Sequence, residues 1–161
     1  MASTFALAEH LIQCGANPNR IAQAIYGSNS PGKIRLLGAA LSNLQIDGDV
    51  AWSLITELEM EKAGAIVEDC EGVVNYLIGI LGIQAAAFIR ECPGPNGTPQ
   101  YRLSLRSKGE IDVAQVAERL GGGGHRNASG CTIDGPMELA TSRILTELHA
   151  ACPSGRPTLL A

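Results

Sequence analysis

Apolar positions set the first period of the chain. Phe5, Ala8, Leu11 and Ile12 recur at helical spacing and Gly15 follows as a C-terminal cap. Asn17 and Pro18 then give an N-cap and a first-turn proline for a helix that reaches Tyr26 and stops at Gly27. Ser30 and Pro31 repeat that start ahead of Ile34, Leu37 and Leu41. Residues 1–43 therefore read as three helices forming a connector.

The period then changes. Val50, Trp52 and Leu54 alternate with Ala51, Ser53 and Ile55 after an Asp47–Gly48 turn, which predicts a hairpin with residues 44–46. Thr56 and Glu59 have capping-box spacing for a short helix, and Glu68, Asp69 and Glu71 crowd the expected start of the next, ending near Ile80. Residues 83–91 and 100–107 are strands joined by a turn rich in proline and glycine, and should pair. Asp112 and Gln115 open a helix with Val113, Val116, Ala117 and Leu120 on one face, followed by a strand over 128–133. Gly135 and Pro136 start a last amphipathic helix through Leu139, Ile144, Leu145 and Leu148, and 153–161 reads as a flexible tail. The fold class is α/β: a mixed β-sheet flanked by helices, preceded by an N-terminal helical connector.

Composition narrows the function. The chain has 161 residues, is 45% hydrophobic and carries a net charge of −4, which argues against a broad basic surface for long duplex nucleic acid but leaves room for a local basic pocket. Its five scattered cysteines include no C-x-x-C pair and read as reduced thiols of a cytoplasmic protein. The longest apolar stretch, near 73–89, is interrupted by Asn75, Gly79, Gly82 and Gln84, and no membrane association is expected. The six aromatics, Phe5, Tyr26, Trp52, Tyr76, Phe88 and Tyr101, fall mostly at helical or core positions, which disfavours extended base stacking.

Between the helix from Asp112 and the strand from Ala128 lie four consecutive glycines, Gly121, Gly122, Gly123 and Gly124, then His125 and Arg126. One glycine serves a left-handed helix cap. Each further one costs about 0.5–1 kcal/mol of backbone entropy against alanine, so the surplus suggests close approach of a ligand to the backbone. The run matches neither phosphate-loop template, since it follows a helix and has no Lys-Ser/Thr after it. Consecutive amides can still make a nest for an anionic oxygen, with His125 and Arg126 as neighbouring donors. On the 100–107 strand the two-residue period puts Arg102, Ser104 and Arg106 on one face, and Arg106 is the better placed of the two arginines for a phosphate. His10 and His149 fall on helices without partners at ligand spacing, and Asp47, Asp49, Glu68, Asp69 and Glu71 are accounted for by turns and helix starts rather than metal binding.

Leu103-Ser-Leu-Arg-Ser107, the Asp112-Val113 helix start and the 121–130 run Gly-Gly-Gly-Gly-His-Arg-Asn-Ala-Ser-Gly together resemble the DHH-associated C-terminal domain of the DHH phosphoesterases. The likeness extends over about residues 5–150 and is similar to the branch of bacterial enzymes that degrade very short RNA and dephosphorylate 3′-phosphoadenosine 5′-phosphate. Related loops occur in single-strand exonucleases, cyclic dinucleotide phosphodiesterases and the tail of alanyl-tRNA synthetases.

The resemblance implies a domain, at 44–152, that contacts substrate across a cleft from a separate N-terminal domain holding two Mn²⁺ ions. This chain has no Asp-His-His run, so the expectation is a substrate-binding half with no cofactor of its own, inert alone, linked through 1–43 to a missing catalytic domain. By the same resemblance, Arg106 and Ser107 would grip a terminal phosphate. Gly122, Gly123, Gly124 and His125 would hold a backbone phosphate or nucleotide, with Asn127 as a further polar contact. The expected ligand is a short RNA or a nucleoside 3′,5′-bisphosphate. A freestanding RNA-end-binding or assembly module, half of a cyclic dinucleotide phosphodiesterase, and homodimerisation through an exposed face stay open as alternatives.

Overall fold

The computed structural model describes residues 2–152; the tail expected over 153–161 lies outside them. The described chain divides into two compact units, with the break after Pro31.

The first unit holds helices α1 (Ala2–Gln13) and α2 (Pro18–Tyr26). Asn17 caps α2 as its sequence predicts, its side chain accepting from the Arg20 amide at 3.1 Å.

The second unit begins within α3 (Pro31–Ser42), at Gly32. Leu36 and Ala40 of α3 are fully buried in a core with sheet residues, so this helix, read from the sequence as part of the connector, packs with the sheet. There follow β1 (Gln45–Asp47), β2 (Val50–Ile55), α4 (Glu57–Ala63), α5 (Val73–Ile78), β3 (Ala85–Pro93), β4 (Pro99–Ser107), α6 (Val113–Arg119), β5 (Gly123–His125), β6 (Ala128–Asp134) and α7 (Met137–Ala151). The six strands form one sheet in the order β1-β2-β3-β4-β6-β5. Only β2 and β3 pair in parallel; the other neighbours are antiparallel, which makes the sheet mixed, as expected.

Parallel pairing of β2 with β3 requires a crossover, and residues 56–84 supply it. α4 starts at the Thr56–Glu59 capping box and stops at Gly64, whose φ is 63°. Of the acidic residues expected to open the next helix, Glu68 and Asp69 sit instead in a separate 3-10 turn, Val67–Cys70, and Glu71 directly follows it; the Asp69 carboxylate accepts from the Ile66 amide at 3.0 Å. Gly72, at φ 87°, breaks the chain there, and α5 begins after it.

Two cores hold the sheet. On one face Leu103, Leu105, Cys131 and Ile133 pack under Val113 and Val116 of α6 and Ile144 and Leu148 of α7. On the other, Ala51, Ile55, Ala86 and Phe88 of β2 and β3 pack under α3, α4 and α5. The side chains of β3 are buried on both faces from Ala85 to Ile89, as a central strand requires. No residue of β4, β5 or β6 enters the second core. That half of the second face is where the candidate chemistry lies.

Candidate functional site

Strand alternation decides what reaches this face. On β4, Tyr101, Leu103, Leu105 and Ser107 are buried, while Arg102 is exposed and Ser104 and Arg106 are half-buried. On β6, Ser129, Cys131 and Ile133 are buried while Ala128, Gly130 and Thr132 are half-buried. Residues directly opposite in a sheet share a face, so the register builds three cross-strand rows. Ala86, Arg106, Ala128 and His125 form the first; Phe88, Ser104, Gly130 and Gly123 the second; Arg90, Arg102 and Thr132 the third.

Arg106 and His125 thus project from one row with only Ala128 between them. Two strand spacings put their Cα atoms about 10 Å apart. Arg106 Nη1 donates to the Leu105 carbonyl at 2.9 Å, and among the described residues Arg106 makes no ion pair. His125 is exposed at the end of edge strand β5, where the two-residue turn Arg126–Asn127 returns the chain into β6.

The glycines divide by role. Gly121, at φ 80°, and Gly122 close α6 in a Schellman arrangement: their amides donate to the carbonyls of Glu118 at 3.0 Å and Ala117 at 2.8 Å. A Cβ on Gly122 would overlap the Gly130 carbonyl oxygen and lie 2.7 Å from Cys131 Cα; on Gly124, at φ 148°, it would lie 2.6 Å from Ser129 Cα. Close approach therefore does demand glycine here, but the approaching group is β6. Only Gly123, with open space around a notional Cβ, lacks a folding reason. The expected nest of consecutive amides is replaced by a helix cap followed by an edge strand.

Ser107 and Asn127 are committed to each other. The buried Ser107 hydroxyl donates to the Ile111 carbonyl at 2.7 Å and accepts from Asn127 Nδ2 at 3.0 Å, while the Ser107 amide donates to the Asn127 carbonyl at 3.2 Å. Asn127 Nδ2 also donates to the carbonyls of Gly109 and Ile111, each at 3.2 Å. These bonds fasten the 107–111 turn to the hairpin that carries His125. Arg126 is tied in as well, pairing with Glu110 through that residue's carboxylate and, at 2.9 Å, its carbonyl.

The same face continues beyond Arg106. A cavity of about 270 Å³ is lined by Cys70, Glu71, Phe88, Arg90, Arg102 and Ser104, among others. Arg90 and Thr132 escaped the sequence reading, although the alternation of Ala86, Phe88 and Arg90 carried the signal. The cysteines are free thiols, and burial raises the Cys131 and Cys152 values above the ordinary thiol range. Among the described residues no group of three or more His, Cys, Asp or Glu side chains could hold a metal ion. No described helix is long and apolar enough to cross a membrane.

A helix-flanked mixed sheet with one half-face left to cationic and small residues defines the class of domain. Residues 36–152 match the DHHA1 domain model, and the chain belongs to that family, whose domains are accessory to DHH-type phosphoesterases. It is 31% identical over 116 residues to the bifunctional oligoribonuclease and PAP phosphatase NrnA of Thermus thermophilus, covering 71% of this chain and 33% of that protein. It is 30% identical over 98 residues to a 3′,5′-cyclic-nucleotide phosphodiesterase of Helicobacter pylori, covering 58% of this chain and 28% of the relative. The chain thus spans about a third of the length of these curated relatives. Among solved structures it superposes on an exopolyphosphatase-related protein from Bacteroides fragilis with TM-score 0.82 at 29% identity, over 92% of this chain and 43% of that one. A pGpG-specific phosphodiesterase from Vibrio shares the fold, with TM-score 0.57 at 15% identity over 92% of this chain and 52% of that one.

Proposed function

We propose that the open face of β4, β6 and β5 binds phosphate groups of a short oligoribonucleotide or nucleoside 3′,5′-bisphosphate, as the substrate-contacting half of a two-metal phosphoesterase. The observation that carries the reading is the Arg106–Ala128–His125 row. A guanidinium with no carboxylate partner among the described residues and an imidazole flank one small residue, a geometry suited to a tetrahedral anion held from two sides. The Thermus relative, named for its action on oligoribonucleotides and PAP, suggests the ligand class.

In this reading Arg106 and His125 touch the phosphate, and Gly123 lets it come close to the sheet edge. Ser107, Asn127 and Arg126 position the hairpin rather than the ligand. The chain orients its substrate, which by itself lowers a reaction barrier. Bond breaking belongs to a metal-bearing domain acting with it, so this chain is inert alone, and helices α1 and α2, which lie outside the sheet unit, are the route of linkage.

Calorimetric titration of the chain with 3′-phosphoadenosine 5′-phosphate and a 5′-phosphorylated dinucleotide tests the proposal. Binding that weakens about tenfold or more in both Arg106→Gln and His125→Ala, at unchanged thermal stability, is expected from loss of one charged contact. Binding indifferent to both variants overturns it. The Helicobacter relative favours one other reading, half of a cyclic-nucleotide phosphodiesterase; preference for a cyclic over a linear ligand in the same titration would select it. Length-dependent RNA binding without gain of hydrolysis on adding a DHH-type metal domain would select a freestanding RNA-end module.

A further inference from the structure

The third row of the open face has a charge arrangement that folding does not explain. Arg90 on β3 and Arg102 on β4 are direct register partners, so two guanidinium side chains leave neighbouring strands on the same face. Like charges placed directly opposite destabilise a sheet. Glu57, Glu68 and Glu91 line a neighbouring hollow with Arg90, but among the described residues neither arginine takes part in an ion pair, and each donates to a neutral acceptor, Arg90 to the Glu91 carbonyl at 3.5 Å and Arg102 to Thr132 Oγ1 at 3.2 Å. The nearby Glu91 carboxylate is occupied by the Glu57 amide at 3.0 Å and the Tyr101 hydroxyl at 3.5 Å. Glu71, exposed on the cavity wall, pairs with neither arginine.

The two arginines line the cavity of about 270 Å³ on this face. Arg102 is four residues from Arg106 on one strand, a separation of about 13 Å at the usual rise. Between the two cationic rows lies the second row, whose β4, β6 and β5 members are Ser104, Gly130 and Gly123. The middle of the face therefore carries almost no side-chain bulk, while both ends carry cations.

We propose that Arg90 and Arg102, with Thr132, form a distal phosphate subsite that engages the backbone of a linear oligonucleotide whose end is held at Arg106 and His125. The proposal rests on the phosphate-binding reading of the first row and goes beyond it by making the face a ruler for length. Single phosphates cannot bridge about 13 Å. A stacked strand advances about 3.4 Å per nucleotide, so a pentanucleotide spans the roughly 13 Å between the Arg106 and Arg102 Cα positions, whereas a nucleoside bisphosphate or a dinucleotide anchored at Arg106 and His125 is too short to span it. Guanidinium pairs suit such a contact because they bind phosphate oxygens bidentately and keep their charge.

The test compares 3′-phosphoadenosine 5′-phosphate, 5′-phosphorylated diadenylate and 5′-phosphorylated pentaadenylate on the same chain, with Arg90→Gln, Arg102→Gln and the double variant. In the parent chain the pentanucleotide is expected to bind about tenfold more tightly than the dinucleotide, as one charged contact provides. The double variant should lose that advantage and keep the dinucleotide affinity within about twofold. Its salt dependence for the pentanucleotide should flatten by about 0.7 for each phosphate contact removed. Arg90→Gln should also unfold at a slightly higher temperature without ligand, because it relieves the like-charge pair. That opposite movement of stability and affinity is what a merely structural arginine would not give.

A length advantage absent in the parent chain, or retained in the double variant, overturns the distal subsite even when diadenylate still depends on Arg106 and His125. Pentanucleotide binding that needs Arg90 and Arg102 but ignores Arg106 and His125 instead overturns the first-row reading and the ruler built on it. No binding of any of the three ligands overturns both.

Discussion

Arg106 on β4 and His125 on β5 stand in one cross-strand row of the sheet with Ala128 of β6 as the only residue between them. The gap is filled by the smallest side chain that still keeps strand geometry. Replacing it by a carboxylate should satisfy both neighbours internally. Ala128→Glu is expected to fold, since Ala128 is half-buried on the open face, and to weaken binding of 3′-phosphoadenosine 5′-phosphate by at least about tenfold through occupation of the arginine and repulsion of the ligand. Calorimetry on Ala128→Glu beside Ala128→Gln separates charge from size; equal losses in the two would count against an anion between Arg106 and His125.

The glycine run yields a sharper contrast. Gly122→Ala and Gly124→Ala force a Cβ into β6, and Gly124 is also at φ 148°. Each should destabilise the domain by about 1–3 kcal/mol. Gly123→Ala meets open space and no positive φ, so its chemical denaturation midpoint should stay close to that of the parent. If Gly123 admits a ligand to the sheet edge, its alanine variant loses phosphate affinity at intact stability. A Gly123→Ala protein that binds normally removes the edge from the site.

What could be read in advance was what is local. The Thr56–Glu59 box, the Asp112 cap, the Asn17 cap and the pairing of the two strands around the 92–99 turn depend on residues close in sequence, and each formed. Arg106 could be placed on its face from the two-residue period alone. Its alignment with His125 could not, because that depends on a two-residue turn at Arg126–Asn127 and on β6 inserting between β4 and β5. Glycines have no side chains to alternate, so β5 left no pattern, and the neighbour that Gly122 and Gly124 admit is β6, which is remote from that pattern. Ser107 and Asn127 were legible as polar but not as partners, being 20 residues apart.

Glu59 offers a pH-dependent check on the crossover that brings β3 beside β2. Burial alone would raise its carboxyl value, but hydrogen bonds from the Thr56 amide and hydroxyl and from Asn43, with Lys62 adding to them, bring it below the ordinary 4.5. A lowered folded-state value contributes stability above the unfolded value and loses it as pH falls through the folded one. Glu59→Gln should therefore cost about 1 kcal/mol at pH 7, and the difference from the parent should shrink below about pH 4. Urea titrations at neutral pH and near pH 3 measure it; a penalty independent of pH would mean that shape rather than charge sets the contribution.

Asn127 tests whether the hairpin's placement matters to the site. Its Nδ2 serves three acceptors, Ser107 Oγ, Gly109 O and Ile111 O, within 3.2 Å. Removing it leaves those carbonyls and the buried hydroxyl short of a donor, at a cost of about 1–3 kcal/mol. Asn127→Ala should lower the melting temperature first, and reduce phosphate affinity only because His125 is no longer held in its row. Ser107→Ala removes the hydroxyl but keeps the amide bond to the Asn127 carbonyl, so it should lose stability while binding nearly as the parent does. Calorimetry well below both melting temperatures distinguishes the cases. Affinity lost in Ser107→Ala to the extent seen in Arg106→Gln, with the fold intact, would make the serine hydroxyl a ligand contact and require it to abandon Ile111 when substrate arrives.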